Sequence, residues 1–163
     1  MPSKARILRG FRAIFGLARP DDGWAKARLL PEEYALFAAL DPRDREHSVM
    51  VAKELLRRFP DAPPEAVRAA LLHDAGKAVR PYRPLERILT ALFEPWLPKL
   101  PPEPLLPGFR GAIQVRQHHE RYALAKLQDP GVRAILKAMA KEPDVPEEAR
   151  RWGERIRAVD DAF

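Results

Sequence analysis

Residues 61–77 read DAPPEAVRAALLHDAGK, and this stretch decides the fold. Pro63 and Pro64 cannot continue a preceding helix but suit the start of the next one. Beyond them Val67, Ala70, Leu71 and Ala75 recur at the three-and-four spacing that lines one face of a helix. Gly76 is then expected to end that helix. His73 and Asp74 fall in its last turn, where the surroundings are apolar and an unpaired carboxylate would be costly to bury.

The same punctuation repeats on both sides. Upstream, Pro31 opens PEEYALFAAL with Glu32 and Glu33 in the first turn, where a helix N-terminus favours acids. Asp41-Pro42 supplies a cap and a first-turn proline for a helix of about 17 residues that carries His47 and stops at Phe59-Pro60. Residues 4–19, KARILRGFRAIFGLAR, place Ile7, Phe11, Ile14, Phe15 and Leu17 on one side and basic residues on the other, the pattern of an amphipathic helix; Asp22 and Gly23 then mark a break. Downstream, a helix is expected from Leu85 to Phe93. Pro95, Pro98, Pro101, Pro102, Pro104 and Pro107 then impose an irregular loop, either a lid or a linker. Gly108 to Leu127 reads as a helix with His118 and His119 on it. Asp129-Pro130 caps another through Lys141, and Asp144-Val-Pro146 starts the last, which ends at Asp160 and Asp161. Strand-type alternation is absent, so the expected class is all-α: one compact domain over residues 1–163 with six or seven helices, on which residues 1–30 dock as a basic amphipathic helix and linker.

Composition narrows the function classes. At 163 residues the chain has the usual size of a domain with one hydrophobic core. It contains no cysteine, which excludes disulfides, zinc-thiolate sites and thiol nucleophiles, and leaves His, Asp and Glu as the ligands for any metal. No run approaches the roughly 18 apolar residues of a membrane span, and the N-terminus lacks the apolar core of a signal peptide, so a cytoplasmic location is expected. The formal net charge of +6 comes from arginines spread along the chain, with a mild concentration at Lys4, Arg6, Arg9, Arg12 and Arg19. A solvated basic surface, a small anionic substrate and a nucleic-acid partner all suit that charge. The absence of asparagine and the 18 prolines give a thermophile-like usage.

Three of the four histidines lie in short His-Asp or His-His-Glu runs within apolar helices: His73 next to Asp74, and His118 and His119 next to Glu120. Adjacent ligand residues can converge on one ion at a helix end, where the backbone is free to turn. Lys77, three residues after Asp74, is placed either as a favourable charge at a helix C-terminus or as the cation that meets a substrate phosphate. Asp160 and Asp161 lie at a helix C-terminus, against the macrodipole, which calls for compensating positive charge.

The string LLHDAGK resembles the signature of the HD-domain metal-dependent phosphohydrolase superfamily. That pattern has a histidine on one helix, a His-Asp pair followed by Gly-Lys, and a distant aspartate in a small-residue context. Here these are His47 in REHSVMVAKELL, His73-Asp74 with Gly76 and Lys77, and Asp160 in IRAVDDAF, so the resemblance covers residues 43–163. It implies an HD-domain-like helical fold and a divalent ion (Mn, Mg, Co, Fe, Ni or Zn) on His47, His73, Asp74 and Asp160, with Asp161 as the alternative last ligand. It further implies hydrolysis of a phosphate ester, most readily of a nucleotide or other small phosphorylated molecule. Asp74 and Lys77 are the implied catalytic residues, Lys77 holding a phosphate oxygen.

HHERYA at 118–123 resembles a further helix start of related proteins, which makes His118, with His119 as its alternative, the candidate for a second metal or a substrate contact. Arg80, Arg83 and Arg110 are candidates for further phosphates. Two features depart from the pattern: the Gly-Tyr-Pro of the cyclic-dinucleotide phosphodiesterase branch is missing, and no histidine follows His119, so one metal is the simpler expectation. The competing reading is a metal-binding regulatory or nucleic-acid-binding helical domain without catalytic activity.

Overall fold

Proline sets most of the helix starts. In the computed structural model, which describes residues 18–163, the α-helices are α1 (Asp22–Lys26), α2 (Pro31–Ala38), α3 (Pro42–Arg58), α4 (Pro64–Leu72), α5 (Pro84–Leu92), α6 (Gly108–Lys126), α7 (Pro130–Met139) and α8 (Glu147–Asp160). Five of the eight begin on a proline, whose fixed φ suits the first helical position and whose missing N–H costs nothing there. Asp41 and Asp129 cap α3 and α7, their carboxylates accepting from the backbone N–H groups of Arg43 and Val132. Two 3₁₀ turns, Ala75–Val79 and Glu94–Trp96, complete the regular structure, and there is no strand among the described residues. The all-α class is therefore as expected. The number of helices is eight among the described residues rather than six or seven.

Two local expectations differ. Asp22 and Gly23 do not break the chain but open α1, because the Asp21 carboxylate accepts from Trp24 N–H and caps it. A helix of five residues has no period for a sequence pattern to reveal. Helix α4 stops at Leu72, so His73 is its C-cap and Asp74 lies beyond it at φ −94°, ψ 0°. The amphipathic segment expected over residues 4–19 falls almost entirely outside the described residues.

Helix α4 is the centre of the core. Every residue from Ala66 to Leu72 is buried, and the helix packs against α2, α3, α7 and α8. Val51, Ala52 and Leu55 of α3, Leu136 of α7, and Ile156 and Val159 of α8 close around it. Burial of such side chains contributes about 1.5–3 kcal/mol each. An ion pair enters this core: Arg68 of α4 is 8% exposed and donates to the buried Glu33 of α2 at 2.9 Å and to Asp129, the α7 cap, at 3.0 Å. Arg68→Ala would leave the buried Glu33 carboxylate unpaired. It is expected to cost about 3–5 kcal/mol in a urea titration; a loss below about 1 kcal/mol would mean that Glu33 regains solvent.

The loop over residues 97–107 is irregular as expected, and α6 pins it down. Proline cannot donate, so the loop's carbonyls need donors from elsewhere. The Gln114 amide donates to the Pro101 and Pro104 carbonyls, and its own carbonyl accepts from Leu106 N–H. Gln117 and Tyr122 donate to the carbonyls of Pro98 and Pro102.

Candidate metal centre

His47 enters from the second turn of α3, His73 caps α4, Asp74 follows it, and Asp160 ends α8. Packing of α3 and α8 against α4 brings these four together. His47 Nε2–H donates to Asp160 Oδ1 at 2.6 Å although the residues are 113 apart in the chain. His47, His73 and Asp74 each present one ligand atom, all within 4.8 Å of one another. Asp161, one residue further on, is exposed, and it is Asp160 that reaches the histidines.

His73 carries the most telling geometry. Its Nδ1–H donates to the Ala70 carbonyl at 2.8 Å, which commits that nitrogen and turns Nε2 toward the other ligands. Nε2 is buried and has no hydrogen-bond partner. It faces Asp74 Oδ2 at 3.7 Å and Asp160 Oδ1 at 3.8 Å. A lone pair between two carboxylates is repulsive unless a positive charge sits among them. Two ligand atoms each about 2.1 Å from one ion lie about 3–4.2 Å apart, so these two separations fit a shared divalent cation, although the set whose ligand atoms are all mutually close is His47, His73 and Asp74, without Asp160. A His and carboxylate donor set suits a borderline or hard metal.

Asp74 is only 2% exposed. Burial alone would push its carboxyl up, but Lys77, with His73 and His119, outweighs that and holds it well below the ordinary range. Lys77 Nζ donates to Asp74 Oδ2 at 2.7 Å; burial opposes its charge, and Asp74 and Asp44 restore it, so the ammonium's pKa stands above its usual value. Asp160 is likewise lowered: burial opposes ionisation, and the His47 hydrogen bond and His73 overcome it.

The helix α6 histidines exchange the expected roles. His118 Nε2–H donates to the Leu100 carbonyl at 2.6 Å, so this residue tethers the proline-rich loop and does not line the cleft. His119 does line it. Its Nδ1–H donates to the Arg116 carbonyl at 3.3 Å, the same device that aims His73, and its Nε2 stands 3.6 Å from Asp74 Oδ1. Burial, then Lys77, lowers its pKa, which keeps the ring neutral near pH 7. A signal for His119 was present in the sequence: it shares a helical face with the small buried residues Ala112, Val115 and Ala123, whereas His118 aligns with Gln114 and Tyr122, which also hold the loop. Arg80, Arg83 and Arg110 are not part of the cleft; Arg80 is engaged with Glu86 and the Gly108 carbonyl.

Lys77 and His119 face each other because the 3₁₀ turn Ala75–Val79 lies hard against α6. Gly76 makes that approach possible: a Cβ there would sit 1.7 Å from the His119 carbonyl oxygen. Gly76 thus does not end α4. It lets two backbones touch.

Fold and site together define an all-helical domain with a buried histidine and aspartate cluster at the meeting of α3, α4, α6 and α8. Comparison of the chain with protein-family models, curated proteins and solved structures gives no match.

Proposed function

We propose that this protein is a metal-dependent phosphohydrolase of the HD-domain kind, acting on a nucleotide or other small phosphorylated molecule. The observation that carries the reading is the His73 Nε2 lone pair, buried, unpartnered and set between two carboxylates. His47, His73, Asp74 and Asp160 would hold the divalent ion. When bound, the ion supplies Lewis acidity, lowering the pKa of a water and offsetting charge on a phosphoryl group.

The chain's own side chains account for the rest. Lys77 keeps Asp74 ionised and places an ammonium beside it, where a phosphate oxygen is neutralised and oriented. His119, neutral and with Nε2 turned to Asp74, accepts the proton of the attacking water. The water oxygen forms the new bond to phosphorus, the ester P–O bond breaks, and the departing oxygen takes a proton from solvent. Asp44, buried one turn before His47, is gripped by Arg87 at 2.7 and 2.6 Å and steadies α3 where it delivers His47.

The test is metal content and hydrolysis measured on the same preparations. Wild-type protein should take up a divalent ion stoichiometrically and hydrolyse members of a phosphatase and nucleotidase panel with it. His119→Gln should keep the ion and lose about 10²–10⁴-fold in kcat, the usual range for a general base. Undiminished turnover in that variant would remove His119 from the mechanism, and a wild type that takes up no ion would overturn the reading as a whole.

A further inference from the structure

The cleft over the cluster has a volume of about 510 Å³, far more than one phosphoryl group fills. Its wall includes four carboxylates (Asp74, Glu120, Asp160 and Asp161) and three cations (Lys77, Lys141 and Arg157). That leaves one surplus negative charge, which a divalent ion would turn into one surplus positive charge. Lys77 is already engaged, paired with Asp74 and assigned to the phosphoryl group at the cluster. Lys141 follows α7 and Arg157 lies in α8, and neither has a carboxylate within ion-pair distance among the described residues.

Arg157 lies in the last turn of α8, three residues before Asp160 and so on the same helical face. Lys141 follows α7, where the Glu142 N–H donates back to the Lys137 carbonyl at 3.0 Å in a Schellman turn. Lys141 sits in the left-handed position of that turn at φ 59°. Glycine is the residue that adopts this conformation without strain, and a lysine there opposes backbone preference. Local turn geometry therefore does not account for the lysine, whereas its place on the cleft wall does.

Resting on the phosphohydrolase reading, we propose that Lys141 and Arg157 form a second anion subsite, so that the preferred substrate bears another anionic group, a phosphate or carboxylate, beyond the phosphoryl group at the cluster. Both cations line the cleft and meet that group as charge-assisted donors.

Calorimetric titration of the Mn²⁺-loaded protein with adenosine 5′-phosphate and adenosine 3′,5′-bisphosphate tests this, because the two probes differ by one phosphate. The wild type should bind the bisphosphate about tenfold more tightly, the gain from one charge-assisted contact. Lys141→Gly should abolish most of that preference and leave metal content and 5′-phosphate affinity unchanged, yet raise Tm by a few degrees through relief of the left-handed backbone. Arg157→Met should weaken the preference without the gain in Tm. Equal affinity for the two probes in a metal-loaded wild type, or a preference that survives Lys141→Gly, overturns the subsite alone. Failure of the wild type to load Mn²⁺ at all overturns the parent reading, and the subsite with it.

Discussion

Gly76→Ala is expected to cost at least about 3 kcal/mol of stability, the upper range for overpacking a close contact. The added methyl would meet the His119 carbonyl oxygen at 1.7 Å, its carbon at 2.6 Å and the Ala123 nitrogen at 2.9 Å. All three are backbone atoms of α6, so no side-chain rotation makes room. The 3₁₀ turn must move away from α6, and Asp74, two residues earlier, moves with it. Metal uptake should therefore fall together with the urea midpoint. Gly23→Ala is the matched control: its methyl would meet nothing nearer than 4.0 Å, and in α1 the exchange should be neutral or stabilising by up to about 1 kcal/mol. Equal midpoints for Gly76→Ala and wild type would show that the turn and α6 are farther apart than the structure places them.

The second large effect is expected for Asp74→Ala. On the proposed reading, bound metal falls from stoichiometric to background and hydrolysis disappears. Wild-type protein should gain about 2.7 kcal/mol of apparent stability when the free ion is 100-fold above its Kd, since only the folded chain gathers the ligands. The Asp74→Ala protein should gain nothing. Its metal-free stability should also drop, because Lys77 loses its partner at 2.7 Å. Asp74→Asn separates the effects: it returns a hydrogen-bond acceptor to Lys77 but carries no charge for the ion, so stability recovers and metal uptake does not. An equal metal-induced rise in all three proteins would rule out Asp74 as a ligand.

The helix starts and the class of fold were legible in the chain because proline and capping aspartate act locally. Pro31, Pro42, Pro64 and Pro130 need nothing distant to constrain φ, and Asp41 and Asp129 reach backbone two or three residues away. His47, His73, Asp74 and Asp160 were legible as candidates through their motif context, and packing of α3 and α8 on α4 does place them together. The end of α4 was misjudged for a related reason. A glycine after an apolar helix has two uses, release of a left-handed turn or admission of a neighbouring backbone, and the local sequence is the same for both.

Sequence by itself thus determined what short-range physics controls: helical periodicity, caps, the irregularity of the proline-rich loop, and the stock of groups able to hold a cation. The face that His119 shares with Ala112, Val115 and Ala123 is a hint in the sequence, but tertiary structure decided which of two adjacent histidines faces Asp74. The choice follows from the rotation of α6 about its own axis, set by Gln114, Gln117, His118 and Tyr122 reaching the loop carbonyls and amides on one side and by Gly76 admitting the 3₁₀ turn on the other. Neighbouring residues on a helix point about 100° apart, so that rotation sends His118 to the loop and His119 to the cleft.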